Sequence, residues 1–179
     1  MLELKNTGLV IIDVQGKLAQ IIHNKDAFFD NLKVMIKGAK ILGLPVIWLE
    51  QLPEKLGHTT PEIAELLEGL NPVSKHTFNA CKNQEFMKEL EALNCKQLLL
   101  AGIETHICVY QTGTGLLNLG YEVHVLSDAV GSRVFENKSI GLERIKLQGG
   151  IISSVEMALF EIMQHAKVPE FRDIIKVIK

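Results

Sequence analysis

The chain is poor in several things that would narrow its role. It has 179 residues but only three cysteines, one tryptophan, two tyrosines and five prolines. Cys81, Cys95 and Cys108 lie fourteen and thirteen residues apart. That spacing fits neither a disulfide framework nor a zinc knuckle. No charge of one sign prevails. Nineteen basic and twenty-one acidic side chains leave a formal charge of -2. No basic stripe suits nucleic acid, and no acidic tail suggests disorder. Apolar runs such as GLVII and QLLLAGI are far too short to span a bilayer. The opening MLELKNTG carries no secretory pattern, so a cytoplasmic location is expected. Phosphate-loop and dinucleotide fingerprints are also missing. The strand-like IIDVQGK has no G-x-G-x-x-G, and the glycines of YQTGTGLLNLG fall within a helical stretch. No cofactor is expected.

What is present is an alternation of strands and helices. Residues 7–15 read as a continuous apolar strand ending in an acid, which suits a strand covered on both faces. Residues 26–42 have apolar positions near helical spacing. Further strands are expected at 46–49, 97–103, 121–126 and 151–154, with a short edge-like segment at 72–75. Helices are expected at 61–67, 85–93, 107–119, 138–147 and 155–164. Residues 52–61 and 127–130 read as loops, and the tail after Pro169 as short and mixed. Ser153 or Ser154 could cap the last helix. The pattern predicts one α/β domain over 1–179, three-layered with a mostly parallel central sheet, Rossmann-like. Ligands in such folds bind beyond the C-terminal ends of the strands.

Three chemically capable residues fall at those ends. Asp13 closes the first strand between Ile12 and Val14, where a carboxylate is costly unless paired. Lys75 follows the edge-like segment. Alone it reads as a surface lysine; beside Asp13 and a thiol it favours negative charge. Cys108 sits in the first turn expected of a helix, where backbone N–H groups favour a thiolate and a lowered thiol pKa. Cys81 and Cys95 read as packing. His58, His76 and His106 match no compact metal motif, and no metal is expected. Arg133 and Lys138 could each touch an anionic substrate, although solvent is the commoner place for such side chains.

Three segments carry a family resemblance. They are the opening IIDVQ, the lysine segment KHTFNA, and AGIETHICVYQT, which is similar to a G-x-x-T-x-x-C-V-x-x-T nucleophile segment. In this order and spacing they resemble the isochorismatase-like cysteine hydrolases. The resemblance implies Asp13 as general base, Lys75 as cationic partner and Cys108 as nucleophile. It also implies a non-proline cis peptide at 103–104, aiming the backbone N–H groups of Glu104 and Cys108 into an oxyanion hole. The expected activity is metal-free hydrolysis of a small amide-like molecule through a thioester. The alternatives are vinyl-ether hydrolysis of the isochorismatase type and a non-catalytic protein that retains the fold. The nicotinamidase-type aspartate and histidine metal set is not matched. The stretch 50–63 resembles that of isochorismatase domain-containing proteins. Gln51, His58, Phe78 and His106 are candidate pocket residues. The expected partners are a small-molecule substrate and further copies of the chain, with no nucleic acid and no membrane. The apolar 155–163 helix suits burial against the core and another subunit.

Overall fold

The computed structural model describes residues 1–179. Six strands form one all-parallel sheet: β1 (Thr7–Ile12), β2 (Val46–Gln51), β3 (Val73–Lys75), β4 (Gln97–Ile103), β5 (Glu122–Gly131) and β6 (Ile151–Ser153). Their order is β3-β2-β1-β4-β5-β6. The chain first builds outward from β1 in one direction and then, from β4, in the other. The strand order therefore reverses between β1 and β4, where a crevice opens in folds of this type.

Nine helices cover the sheet. They are α1 (Gly16–Gln20), α2 (Lys25–Leu42), α3 (Pro53–Leu56), α4 (Pro61–Ala64), α5 (Gln84–Ala92), α6 (Tyr110–Asn118), α7 (Phe135–Leu147), α8 (Val155–Met163) and α9 (Phe171–Ile178). The strands alternate between two cores. Leu9, Ile11, Leu99, Ala101 and Ile103 pack with α2 and α8 on one face. Val10, Ile12, Leu98 and Leu100 pack with Phe86, Leu116 and Ile145 of α5, α6 and α7 on the other. Every residue of β1 and β4 is buried, as continuous apolar strands between two helical layers must be. None of the helices is long and apolar enough to cross a membrane.

Caps and glycines fix several turns. Asn83 and Ser154 accept backbone N–H groups of Phe86 and Met157, which starts α5 and α8. Of the two serines expected as caps, Ser154 is the one that serves. Gly102 has φ +118, and a Cβ there would lie 2.0 Å from the Ile12 carbonyl oxygen. No other residue lets β1 and β4 approach so closely at the point of reversal.

Four expectations need correction. β5 runs on through 127–130, because a register shift between Leu100 and Gly102 of β4 absorbs the polar Ser127-Asp128 step. The 52–61 segment is not wholly irregular; Pro53 opens the single turn α3. The tail beyond Pro169 forms α9, with Ile174 buried against the first core. The helix expected at 107–119 is split into a wide π-type turn over Thr105–Val109 and α6 proper.

Candidate active site

Asp13 follows β1 with φ 53, so the chain turns sharply at the strand end. Its N–H still bonds to the Leu49 carbonyl at 3.2 Å, extending the ladder by one rung. Lys75 ends the edge strand β3, and its backbone lies opposite Gln51 at the end of β2. The lysine side chain reaches across β2 to β1. Lys75 Nζ donates to Asp13 Oδ2 at 2.7 Å, to Gln51 Oε1 at 2.6 Å and to the Thr77 carbonyl at 3.2 Å. An ammonium group has three protons, so Lys75 is fully committed. The ion pair is closed to solvent, with side-chain exposures of 0% for Lys75 and 5% for Asp13.

Asp13 Oδ1 is different. It is buried and has no hydrogen-bond partner of ordinary length and angle. Cys108, itself buried, stands near enough for the thiol and the carboxylate to shift each other's titration. Burial pushes the Cys108 thiol up to about 12; the Asp13 charge adds to the rise and Lys75 opposes it. The lowered thiol pKa expected from a helix start is thus reversed, because loss of water and a facing carboxylate outweigh N–H dipoles. Burial also raises the Asp13 carboxyl above the ordinary carboxylate range, with Lys75 opposing.

Cys108 lies within the wide turn after β4. The Glu104 carbonyl accepts from Ile107 N–H at 3.0 Å and Val109 N–H at 3.3 Å, which closes the turn. The Ile103–Glu104 peptide bond is cis. The Glu104 carboxylate is buried and holds Arg133: Oε1 accepts the Arg133 backbone N–H at 3.0 Å and Nε at 3.1 Å. The Arg133 guanidinium is thereby paired with Glu104, although about half of the side chain stays exposed.

Asp13, Glu104 and Cys108 line one cavity of about 540 Å³, and Gln51 and Phe78 line it too. His58 and His106 are not among the residues that line it. The His58 side chain is 82% exposed and points its Nδ1 to Glu50 at 3.1 Å. His106 Nδ1 lies 3.0 Å from Ser132 Oγ. One organising residue escapes a reading by sequence. Gln15 is buried; its Nε2 donates to the carbonyls of Gln51 and Gly57, and its Oε1 accepts the Gln51 N–H at 2.6 Å. Its place in IIDVQ, two residues past the acid, was the available signal.

A family profile, the Isochorismatase domain, matches residues 7–157. The chain belongs to the isochorismatase family. It is 39% identical to the secreted isochorismatase effector Isc1 of Phytophthora sojae, over 96% of this chain and 83% of that protein. It is 32% identical to isochorismatase domain-containing protein 2 of Danio rerio, over 99% and 89% of the two chains. Among solved structures, the MAR1 ribonuclease of Caenorhabditis elegans superposes with a TM-score of 0.92 at 31% identity, over 99% of this chain and 91% of that one.

Proposed function

We propose that this isochorismatase-family protein is a hydrolase that opens a small amide-like substrate with Cys108 as nucleophile. The observation that carries the reading is Asp13 Oδ1, buried without a hydrogen-bond partner of ordinary geometry, on a residue that lines the same cavity as Cys108 and is coupled to its thiol. A thiol held up at about 12 does not ionise unaided near neutrality. It needs a base at the moment of attack, and the unpartnered carboxylate oxygen suits that role. Lys75, with its protons already placed, orients Oδ2 and balances the negative charge as it shifts.

Asp13 takes the thiol proton as Sγ bonds to the substrate carbonyl carbon. The oxyanion that forms is held by the backbone N–H groups of Glu104 and Cys108. Asp13 returns the proton to the leaving nitrogen as the C–N bond breaks, leaving a thioester. Water then gives a proton to Asp13 and adds to the thioester. The carboxylic acid departs, and the sulfur regains its proton from Asp13.

Incubation with a panel of primary amides, followed by intact-mass spectrometry, tests this. An acyl adduct on the wild type that is absent from Cys108→Ala is expected. Undiminished amide hydrolysis by Cys108→Ala would overturn the nucleophile. One observation favours a second reading. A carboxyl with a raised pKa can donate a proton, as vinyl-ether cleavage requires. Cleavage of isochorismate that survives in Cys108→Ala would support that route over acyl transfer.

A further inference from the structure

The charged residues that line the cavity differ in exposure: Asp13 and Glu104 are buried, Lys17 and Lys55 exposed. Its walls are apolar, with Leu18, Leu56, Phe78, Ile103 and Ile107 among the lining residues. At the floor, Asp13 is balanced by Lys75, and in the wall Glu104 is balanced by Arg133. Two lining cations remain. Lys17 and Lys55 are exposed, and neither enters any ion pair of the molecule.

Their meeting at one rim is built by the fold. Lys17 belongs to α1 after β1, and Lys55 to α3 after β2. Gly16, at φ +48, lies so near the next turn that a Cβ would stand 2.2 Å from the Leu56 carbonyl oxygen. Gly16 N–H bonds to the His58 carbonyl at 3.3 Å, and Gln15 Nε2 holds the Gly57 carbonyl at 2.6 Å. The two short helices are thus tied backbone to backbone. The other charges on these turns are few: Glu54 neighbours Lys55 on α3, and His58 faces Glu50. The mouth carries an excess of positive charge above an apolar shaft.

From this we infer that the substrate is an acyl compound with an apolar body and an anionic tail, held with its reacting carbonyl towards Cys108 and its tail between Lys17 and Lys55. The monoamide of a dicarboxylic acid is the simplest member of that class. The inference rests on the acyl-hydrolase reading for the placement of the carbonyl. The preference for an anion rests on the rim alone. Exposed ammonium groups each contribute modestly and are screened by salt, so a pair is worth roughly a tenfold preference at low ionic strength.

The test measures binding by calorimetry to Cys108→Ser, in which no acyl adduct can form at sulfur. The probes are hexanamide and the monoamides of succinic, adipic and suberic acids, in 20 mM and 500 mM sodium chloride. At least one anionic amide is expected to bind about tenfold more tightly than hexanamide at low salt. That margin is expected to fall below about threefold in Lys17→Gln/Lys55→Gln and at high salt. It should persist in Lys37→Gln, an equal loss of charge on α2 outside the cavity. Equal binding of neutral and anionic amides, no binding of any anionic member, or a margin indifferent to the rim lysines each overturns the inference. Hydrolysis by the wild type is scored separately. Turnover without anion preference leaves the acyl-hydrolase reading standing alone, while rim-dependent preference without turnover upholds the anion site and removes the reaction.

Discussion

Lys75 Nζ lies 2.7 Å from Asp13 Oδ2, while the other oxygen of the same carboxylate, Oδ1, has no hydrogen-bond partner of ordinary geometry. The two oxygens are thereby separated in purpose: one is held by a cation and the other is open to a proton. Lys75→Met removes the cation that opposes the rise of the Asp13 pKa. The carboxyl then rises further and is protonated over more of the working pH range, so hydrolysis is expected to fall by about 10²–10³. A buried carboxylate without its partner costs about 3–5 kcal/mol if it stays charged. A carboxyl whose folded pKa is raised lends stability below its unfolded pKa and loses it as pH rises through the folded value. Urea unfolding should therefore show a smaller deficit for Lys75→Met at pH 4 than at pH 8.

Asp13→Asn separates thiol reactivity from hydrolysis. The Asp13 charge raises the Cys108 pKa, and Lys75 lowers it. With the carboxylate gone, the thiol pKa falls. Iodoacetamide labelling of Cys108 at pH 8, followed by mass spectrometry, should speed up by about tenfold for each pKa unit lost. Hydrolysis should drop by at least ~10², because no acceptor remains for the proton. Slower labelling, or labelling and hydrolysis falling together, would contradict the arrangement.

Cys108 also leaves a mark on stability. Its folded pKa of about 12 exceeds the ordinary value of 9.0. A group raised in this way favours the fold below its unfolded pKa, and that contribution fades as pH climbs to the folded value. Between pH 9 and 11 the wild type should lose up to about 1.4 kcal/mol per pH unit relative to Cys108→Ala. The variant comparison is necessary because burial raises Cys81 and Cys95 in the same direction. Parallel pH curves for the two proteins in chemical denaturation would refute it.

Gly102→Ala probes the join of β1 and β4. A Cβ 2.0 Å from the Ile12 oxygen cannot be placed without moving one strand. A loss of at least ~3 kcal/mol is expected, or failure to fold. Gly43→Ala is the comparison: φ is +69, yet nothing lies within 4 Å, so conformational strain alone should cost about 1–2 kcal/mol. Urea midpoints of the two variants decide between crowding and strain.

Much of this was legible in the residues. Continuous apolar runs placed β1 and β4 between two helical layers, and parallel topology put Asp13, Lys75 and the Cys108 turn at one edge of the sheet. The shortfalls have physical causes. Ser127 and Asp128 look like loop residues because a strand irregularity has no compositional signal. The tail hid α9 because one buried face, centred on Ile174, sits among charges. The thiol pKa was misjudged in sign because its surroundings depend on burial, which a local motif does not report. His58 is a pocket candidate from the 50–63 stretch and His106 from its nearness to Cys108, whereas the contacts their rings make are with Glu50 and Ser132. Lys17 and Lys55 carry no signal in the sequence, because thirty-eight positions separate them and the fold brings their turns together through Gln15 and Gly16.

The approach of Gly102 to Ile12 has a further consequence. The strand that presents Asp13 and the strand that leads to Cys108 meet main chain to main chain, in register from Thr7 and Gln97 to Ile12 and Gly102. Their separation is therefore a property of peptide geometry, not of the side chains packed above and below. Apolar residues in either layer can exchange for others of similar volume while the gauge between the two strands stays fixed. What such a scaffold holds constant is a spacing, and the chemistry at its edge inherits that tolerance.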